Sequence, residues 1–148
     1  MWGGDAESES ESAEAQDPLD EVDATLTNRL SQAEWTEAYD FVGGLAGIGV
    51  YFLERLPRPA AVKSLQLVVW HLEQKSEQSW GGTTWLTPPE LLPSEDHRWL
   101  CPAGYYNLGV AHGVPGVVGL LSDIMAAGIE APAAQRLLDG PVRWLLSQ

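Results

Sequence analysis

The chain has 148 residues, 45% hydrophobic and 20% charged, an ordinary balance for one globular domain. Its 21 acids against 8 bases give a net charge of −13, which excludes the basic face that nucleic-acid phosphates or anionic lipids require. A single cysteine, Cys101, excludes an internal disulfide framework and any zinc site that draws two thiolates from this chain.

Residues 1–23 hold nine of the acids and no base, which leaves 12 acids against 8 bases in the rest. The run Glu7-Ser8-Glu9-Ser10-Glu11-Ser12 offers nothing to bury. Residues 1–16 are therefore expected to be a disordered acidic segment, read as a solvated linker in preference to an interaction tail. The start lacks the basic end and apolar run of a secretory signal. The longest stretch free of Asp, Glu, Lys and Arg, Cys101 to Ser122, is interrupted by Pro102, Asn107, His112 and Pro115. No membrane insertion is expected, and a cytoplasmic location is the default.

Asp17-Pro18 reads as a helix start, and Leu19, Val22, Leu26 and Leu30 recur at helical spacing to about Ser31 or Gln32. Phe41 to Leu56 predicts a second helix that is apolar nearly all round, so it belongs inside a helical assembly. Pro57 stops it. A third helix, 59–75, is amphipathic, with Val62, Leu65, Val69 and Leu72 on one face. Residues 76–107 lack such periodicity and predict a long loop, pinned by Trp85 and Trp99. Gly113 to Ala127 predicts a fourth helix, again with little polar face, with Pro115 in its first turn and Gly128 past its end. A fifth opens at Ala131-Pro132, and Gly140-Pro141 inside it predicts a kink or a restart. No segment shows the period-2 pattern of a strand, so the class is all-α.

Two pieces are self-similar. Gly44-Leu45-Ala46-Gly47 and Gly113-Val114-Pro115-Gly116 both place G-x-x-G at the start of an apolar helix, at an offset of 69 residues. Each is followed by a more amphipathic helix. The unit is an inner helix followed by an outer one, and such units stack or close into a ring. The glycines clear one helix face for close backbone approach.

His112 lies just before the fourth helix and Asp40 in the matching place before the second. Read locally, His112 hydrogen-bonds within a loop, and Asp40 caps Phe41–Gly43. Beside a cavity, an imidazole in that place suits general acid–base work. Single motifs favour the local readings. His71 and His97, on an outer helix and a loop, receive no role. The seven tryptophans are read as packing anchors before sugar platforms.

Taken together, Tyr39-Asp40-Phe41-Val42-Gly43-Gly44-Leu45-Ala46-Gly47 and Gly109-Val110-Ala111-His112-Gly113-Val114-Pro115-Gly116 resemble the lanthionine synthetase C-like family. The second element, G-x-A-H-G-x-x-G, is far more specific than G-x-x-G alone. The loop Trp85–Pro93 resembles the family's loop before that element. The resemblance covers Asp17 to Gln148 and implies a partial α/α toroid of inner and outer helix pairs. It implies relatives that join Cys thiols to dehydrated Ser or Thr in a precursor peptide, or that bind glutathione in eukaryotes. It overrides the local readings, because His112 and Asp40 match the family's active-site His and Asp.

The resemblance also implies zinc in complete members, held by a Cys and then a Cys-His pair in repeats beyond the G-x-A-H-G element. Cys101 lies upstream of His112 and matches no ligand. The chain is therefore expected to be a central piece of a toroid, with no metal of its own and inactive alone. Its inner-helix faces, 41–56 and 113–127, are expected to lack neighbours and to favour self-association. Two other readings stay open. One is a non-catalytic helical binding or scaffold module. The other, ranked last, is a toroid acting on carbohydrate, which needs two carboxylates across a sugar bond. Asp40 is the only carboxylate beside a G-x-x-G helix.

Overall fold

The computed structural model describes residues 17–148. The expected acidic disorder of 1–16 lies outside the described residues. The Asp17 carboxylate accepts from the Leu19 N–H at 2.9 Å, and helix α1 then runs Asp20–Leu30. Helix α2 is Leu45–Glu54, and α3, with Pro59 in its first turn, is Pro59–Lys75. Helix α4, a short piece of the long connection, is Glu95–Leu100. Helix α5 is Val114–Ala126, and it ends at Gly128, whose φ of 72° suits a residue without a Cβ. Helix α6 is Ala134–Leu146.

Helices α2 and α5 pack on each other as the inner layer, with α3 against α2 and α6 against α5 as the outer layer. Gly49 of α2 lies directly under Leu120 of α5, where a Cβ would meet the leucine methyls. Helix α1 rests on α3. Leu45, Phe52, Leu65, Leu72, Leu120 and Ile124 are fully buried between these layers. Truncating one of these leucines to alanine would cost about 2–5 kcal/mol. The molecule is all-α, as its periodicity predicts. Among the described residues no helix is long and apolar enough to cross a membrane.

Several local expectations are corrected. The second helix begins at Leu45 rather than Phe41, because Asp40–Gly43 is spent on a turn in which the Asp40 carboxylate accepts from the Gly43 N–H at 3.0 Å. The region 76–107 is not one loop. It holds strands β1, Glu77–Ser79, and β2, Gly82–Thr84, paired antiparallel, then a 3₁₀ turn at Pro89–Leu91, then α4, capped by the Ser94 hydroxyl. Three-residue strands and a six-residue helix are too short to print a period on the sequence. The hairpin lies so close to α6 that a Cβ on Gly82 would strike the Gly140 carbonyl. Helix α6 neither stops nor restarts at Pro141, which is buried with Leu137 and Trp144 on the face that meets the core. Packing of that face outweighs the lost hydrogen bond.

Trp85 is fully buried and donates its indole N–H to the Leu72 carbonyl at 2.8 Å, so it pins the connection. Trp99 does not, for it is 82% exposed on α4. The inner helices are also better covered than expected. Leu45, Ala46, Ile48 and Phe52 of α2 are buried, as are Val114, Val117, Leu120, Leu121 and Ile124 of α5. The more exposed apolar side chains sit instead at the hairpin turn, on α4, at the end of α6 and on the segments leading into α2 and α5, at Trp80, Trp99, Leu100, Leu146, Val42 and Val110.

Candidate active site

The first N–H groups of a helix have no partner within the helix. At α2 the preceding segment folds back to supply them. The carbonyls of Ala38, Tyr39 and Asp40 accept from Leu45, Ala46 and Gly47 at 3.2, 3.0 and 3.2 Å. At α5 the Asn107 carbonyl accepts from Val114 at 3.0 Å. This return path explains the two G-x-x-G elements. A Cβ on Gly44, Gly47, Gly113 or Gly116 would collide with a carbonyl of its own lead-in segment, six residues earlier in each case. The backbone that comes close is thus the helix's own approach. The Asn107 side chain steadies the second approach, accepting from the Gly109 N–H at 2.7 Å.

The two approaches are tied together. The Phe41 N–H donates to the Ala111 carbonyl at 3.1 Å, and the Phe41 ring lies against Gly116. Asp40 and His112, the next residue along in each segment's opposite direction, therefore meet. His112 Nδ1 lies 2.7 Å from Asp40 Oδ2, across 72 residues of sequence. A carboxylate only accepts, so Nδ1 carries the hydrogen and Nε2 is left as the free ring nitrogen. The Asp40 side chain is 14% exposed and the His112 side chain 57%. The acid is fixed and the imidazole is accessible.

Both residues line a cavity of about 330 Å³. Its other walls come from Tyr39 and Val42 beside Asp40, from Tyr105, and from Thr87 and Leu91–Pro93 of the long connection. Thr87 and Tyr105 exchange backbone hydrogen bonds at 3.0 Å in both directions, which fastens that connection over the His112 approach. No periodicity marks Thr87, Tyr105 or Asn107. Thr87 lies in the Trp85–Pro93 loop and Tyr105 and Asn107 in the Gly104–Val117 stretch that resemble the family's, a likeness that says the segments matter without saying which side chains do.

The other two histidines, to which the sequence assigns no role, lie elsewhere. His71 is buried with Nε2 at 2.7 Å from the Leu30 carbonyl, and His97 meets the Ser94 hydroxyl at 2.7 Å. Among the described residues no group of three or more His, Cys, Asp or Glu side chains gathers as a metal site would require. The described residues do not fit the zinc that the resemblance implies for complete members.

The model of the family described as lanthionine synthetase C-like protein matches residues 5–148. The chain belongs to this family. Among solved structures it is similar to nisin cyclase, with a TM-score of 0.60 and 25% identity over 70% of this chain. It spans 26% of the length of nisin cyclase. Comparison with curated proteins gives no match. For a lanthionine synthetase C-like chain, the paired approaches and the inner and outer helices are consecutive units of an α/α toroid. The carboxylate–imidazole contact lies where two such units adjoin.

Proposed function

We propose that the chain carries the acid–base pair of a thioether-forming site that acts on a peptide. The observation that carries this reading is the 2.7 Å contact between Asp40 and His112 at the wall of a cavity. Membership of the family and likeness to nisin cyclase support a peptide substrate holding a Cys and a dehydrated Ser or Thr. Asp40 accepts the Nδ1 hydrogen and fixes the ring. Nε2 then takes the proton of the incoming thiol as the sulfur bonds to the β-carbon of the dehydrated residue. The electron pair of the carbon–carbon double bond moves onto the adjoining carbonyl as an enolate. The imidazolium returns its proton to the α-carbon, and no proton is gained or lost overall. Asp40 balances the imidazolium charge between the two transfers.

The chain by itself is expected to close no rings, because His112 can take the thiol proton but the described residues gather no cluster of metal-binding side chains that would hold the sulfur in place. The test appends the flanking repeats of a complete relative and measures thioether formation by mass spectrometry. His112→Ala is expected to abolish turnover with metal content unchanged, and undiminished turnover would remove His112 from the reaction. A non-catalytic reading, a groove that only binds peptide, is favoured by one observation: Val42 and Val110, near Asp40 and His112 in sequence, are 69% and 66% exposed. That reading expects peptide binding but no thioether even in the completed protein.

A further inference from the structure

Three apolar side chains line the cavity of Asp40 and His112 while standing open to solvent: Val42, 69% exposed, Leu91, 37% exposed, and Pro93. Single exposed apolar residues are ordinary on a protein surface, whereas several around one cavity mark a binding wall. Val42 is out of place in its own turn. The Asp40 carboxylate and the Gly43 N–H close that turn at 3.0 Å, and a β-branched residue is a poor choice within it. At its exposure Val42 adds little to the core. The backbone beneath it is nevertheless fixed, by the turn and by the bond from the Phe41 N–H to the Ala111 carbonyl at 3.1 Å. Leu91 and Pro93 are held as well, because Arg98 donates to the Leu92 carbonyl between them at 3.2 Å. Among the described residues no Lys or Arg lines the cavity. Asp40 stands on its wall, and Glu90 lies exposed beside Leu91. An acidic side chain entering here would lose water and gain no cation, whereas an apolar one would only lose contact with water.

We propose that Val42 is a specificity-determining residue: with Leu91 it receives the apolar side chain of a residue next to the dehydrated one in the peptide, and it disfavours an acidic residue there. This rests on the reading of the Asp40–His112 pair given above. Neighbouring residues of a peptide lie about 3.8 Å apart, Cα to Cα. A peptide that brings its double bond to His112 therefore brings an adjoining side chain to these walls. Val42 follows Asp40 by two residues on one fixed turn, so the wall and the acid–base pair keep a constant spacing. No bond is made or broken at Val42. It selects which residue may stand beside the reacting one.

The test uses the full chain and needs no turnover. Three probes, N-acetyl-X-dehydroalanyl-X methylamides with X as leucine, serine or glutamate, are titrated into the protein and followed by NMR, with the ring signals of His112 included. The wild type is expected to bind the leucine probe about tenfold more tightly than the serine probe, and the glutamate probe most weakly. Val42→Thr keeps the shape and adds a hydroxyl. It is expected to weaken the leucine probe about fivefold, with the melting temperature unchanged. Val42→Lys is expected to place the glutamate probe above the leucine probe. Val142→Thr, at an exposed position of α6 outside the cavity wall, is expected to leave all three affinities unchanged. Equal binding of the three probes by the wild type, or a leucine preference that survives Val42→Thr, would overturn the role of Val42 and leave the acid–base reading standing. No binding, or binding that leaves the His112 signals unmoved, would overturn both. Self-association released by Val42→Thr, with probe binding unchanged, would give the wall to a second copy of the chain and overturn the proposal.

Discussion

Asp23 and Asp40 each meet a side chain from a distant part of the sequence, in very different surroundings. The Asp23 carboxylate accepts from the Tyr51 hydroxyl at 2.6 Å and from Arg55 Nε and Nη2 at 3.0 and 2.7 Å. Arg55 also reaches Asp17 at 2.9 Å, and Arg58 pairs with Asp17 and Asp20. Every side of that carboxylate is used, and the residue is 8% exposed. Asp40 instead divides its oxygens between the Gly43 N–H and a single imidazole that is mostly exposed. A saturated ion pair is a clamp, here fastening α1 to the end of α2. An unsaturated pair beside a cavity keeps one nitrogen for other chemistry. Charge and proximity are shared by both sites, and the free valence separates them.

The largest effect that tests this contrast is Asp23→Ala, expected to cost about 2 kcal/mol in urea unfolding. The cost stays below that of a fully orphaned buried charge because Asp17 still neutralises Arg55. A cost near zero would mean that the clamp is ornamental.

Acid should act on the same cluster. Hydrogen bonds from Arg55 hold the Asp23 carboxyl below its ordinary range, against an opposing effect of burial. The backbone hydrogen bond from Leu19, followed by that from Arg55, does so for Asp17. A depressed folded-state value gives stability that is complete above the ordinary carboxylate range, about pH 4, and is lost as pH falls through the folded values. Melting temperature is therefore expected to fall progressively below about pH 4, less steeply in Asp23→Ala. Equal slopes would move the acid sensitivity elsewhere.

Asp40→Ala is expected to cost about 1 kcal/mol, the worth of the turn hydrogen bond to Gly43 and of the imidazole contact. His112→Ala should change stability least, within about 0.5 kcal/mol, because the ring is exposed. If His112→Ala proved as costly as Asp23→Ala, the second pair would be a clamp as well, and its catalytic reading would lose its physical basis.

Much of this was legible in the sequence. The bounds of α3 follow from Pro59 and a clean apolar stripe. The equivalence of Asp40 and His112 follows from two G-x-x-G elements and from the wider likeness of their surroundings to one family. The hairpin and α4 were not legible, because elements of three to six residues carry too little pattern. The exposed Trp99 was misread because composition says that a tryptophan is present, while its burial depends on what packs there.

The sequence by itself determined the helical class, where most helices stop, the inner and outer alternation, and the glycines that let each lead-in segment fold back over its helix. These are properties of a residue and its near neighbours, set by periodic burial and by backbone sterics. Only the tertiary structure decided that Asp40 and His112 touch and that Asp23 is saturated while Asp40 is not. The packing of α2 on α5 and the cross-link from Phe41 to Ala111 set the 2.7 Å distance. Whether a buried polar group has spare bonding capacity depends on every element packed around it, and no stretch of chain holds that information alone.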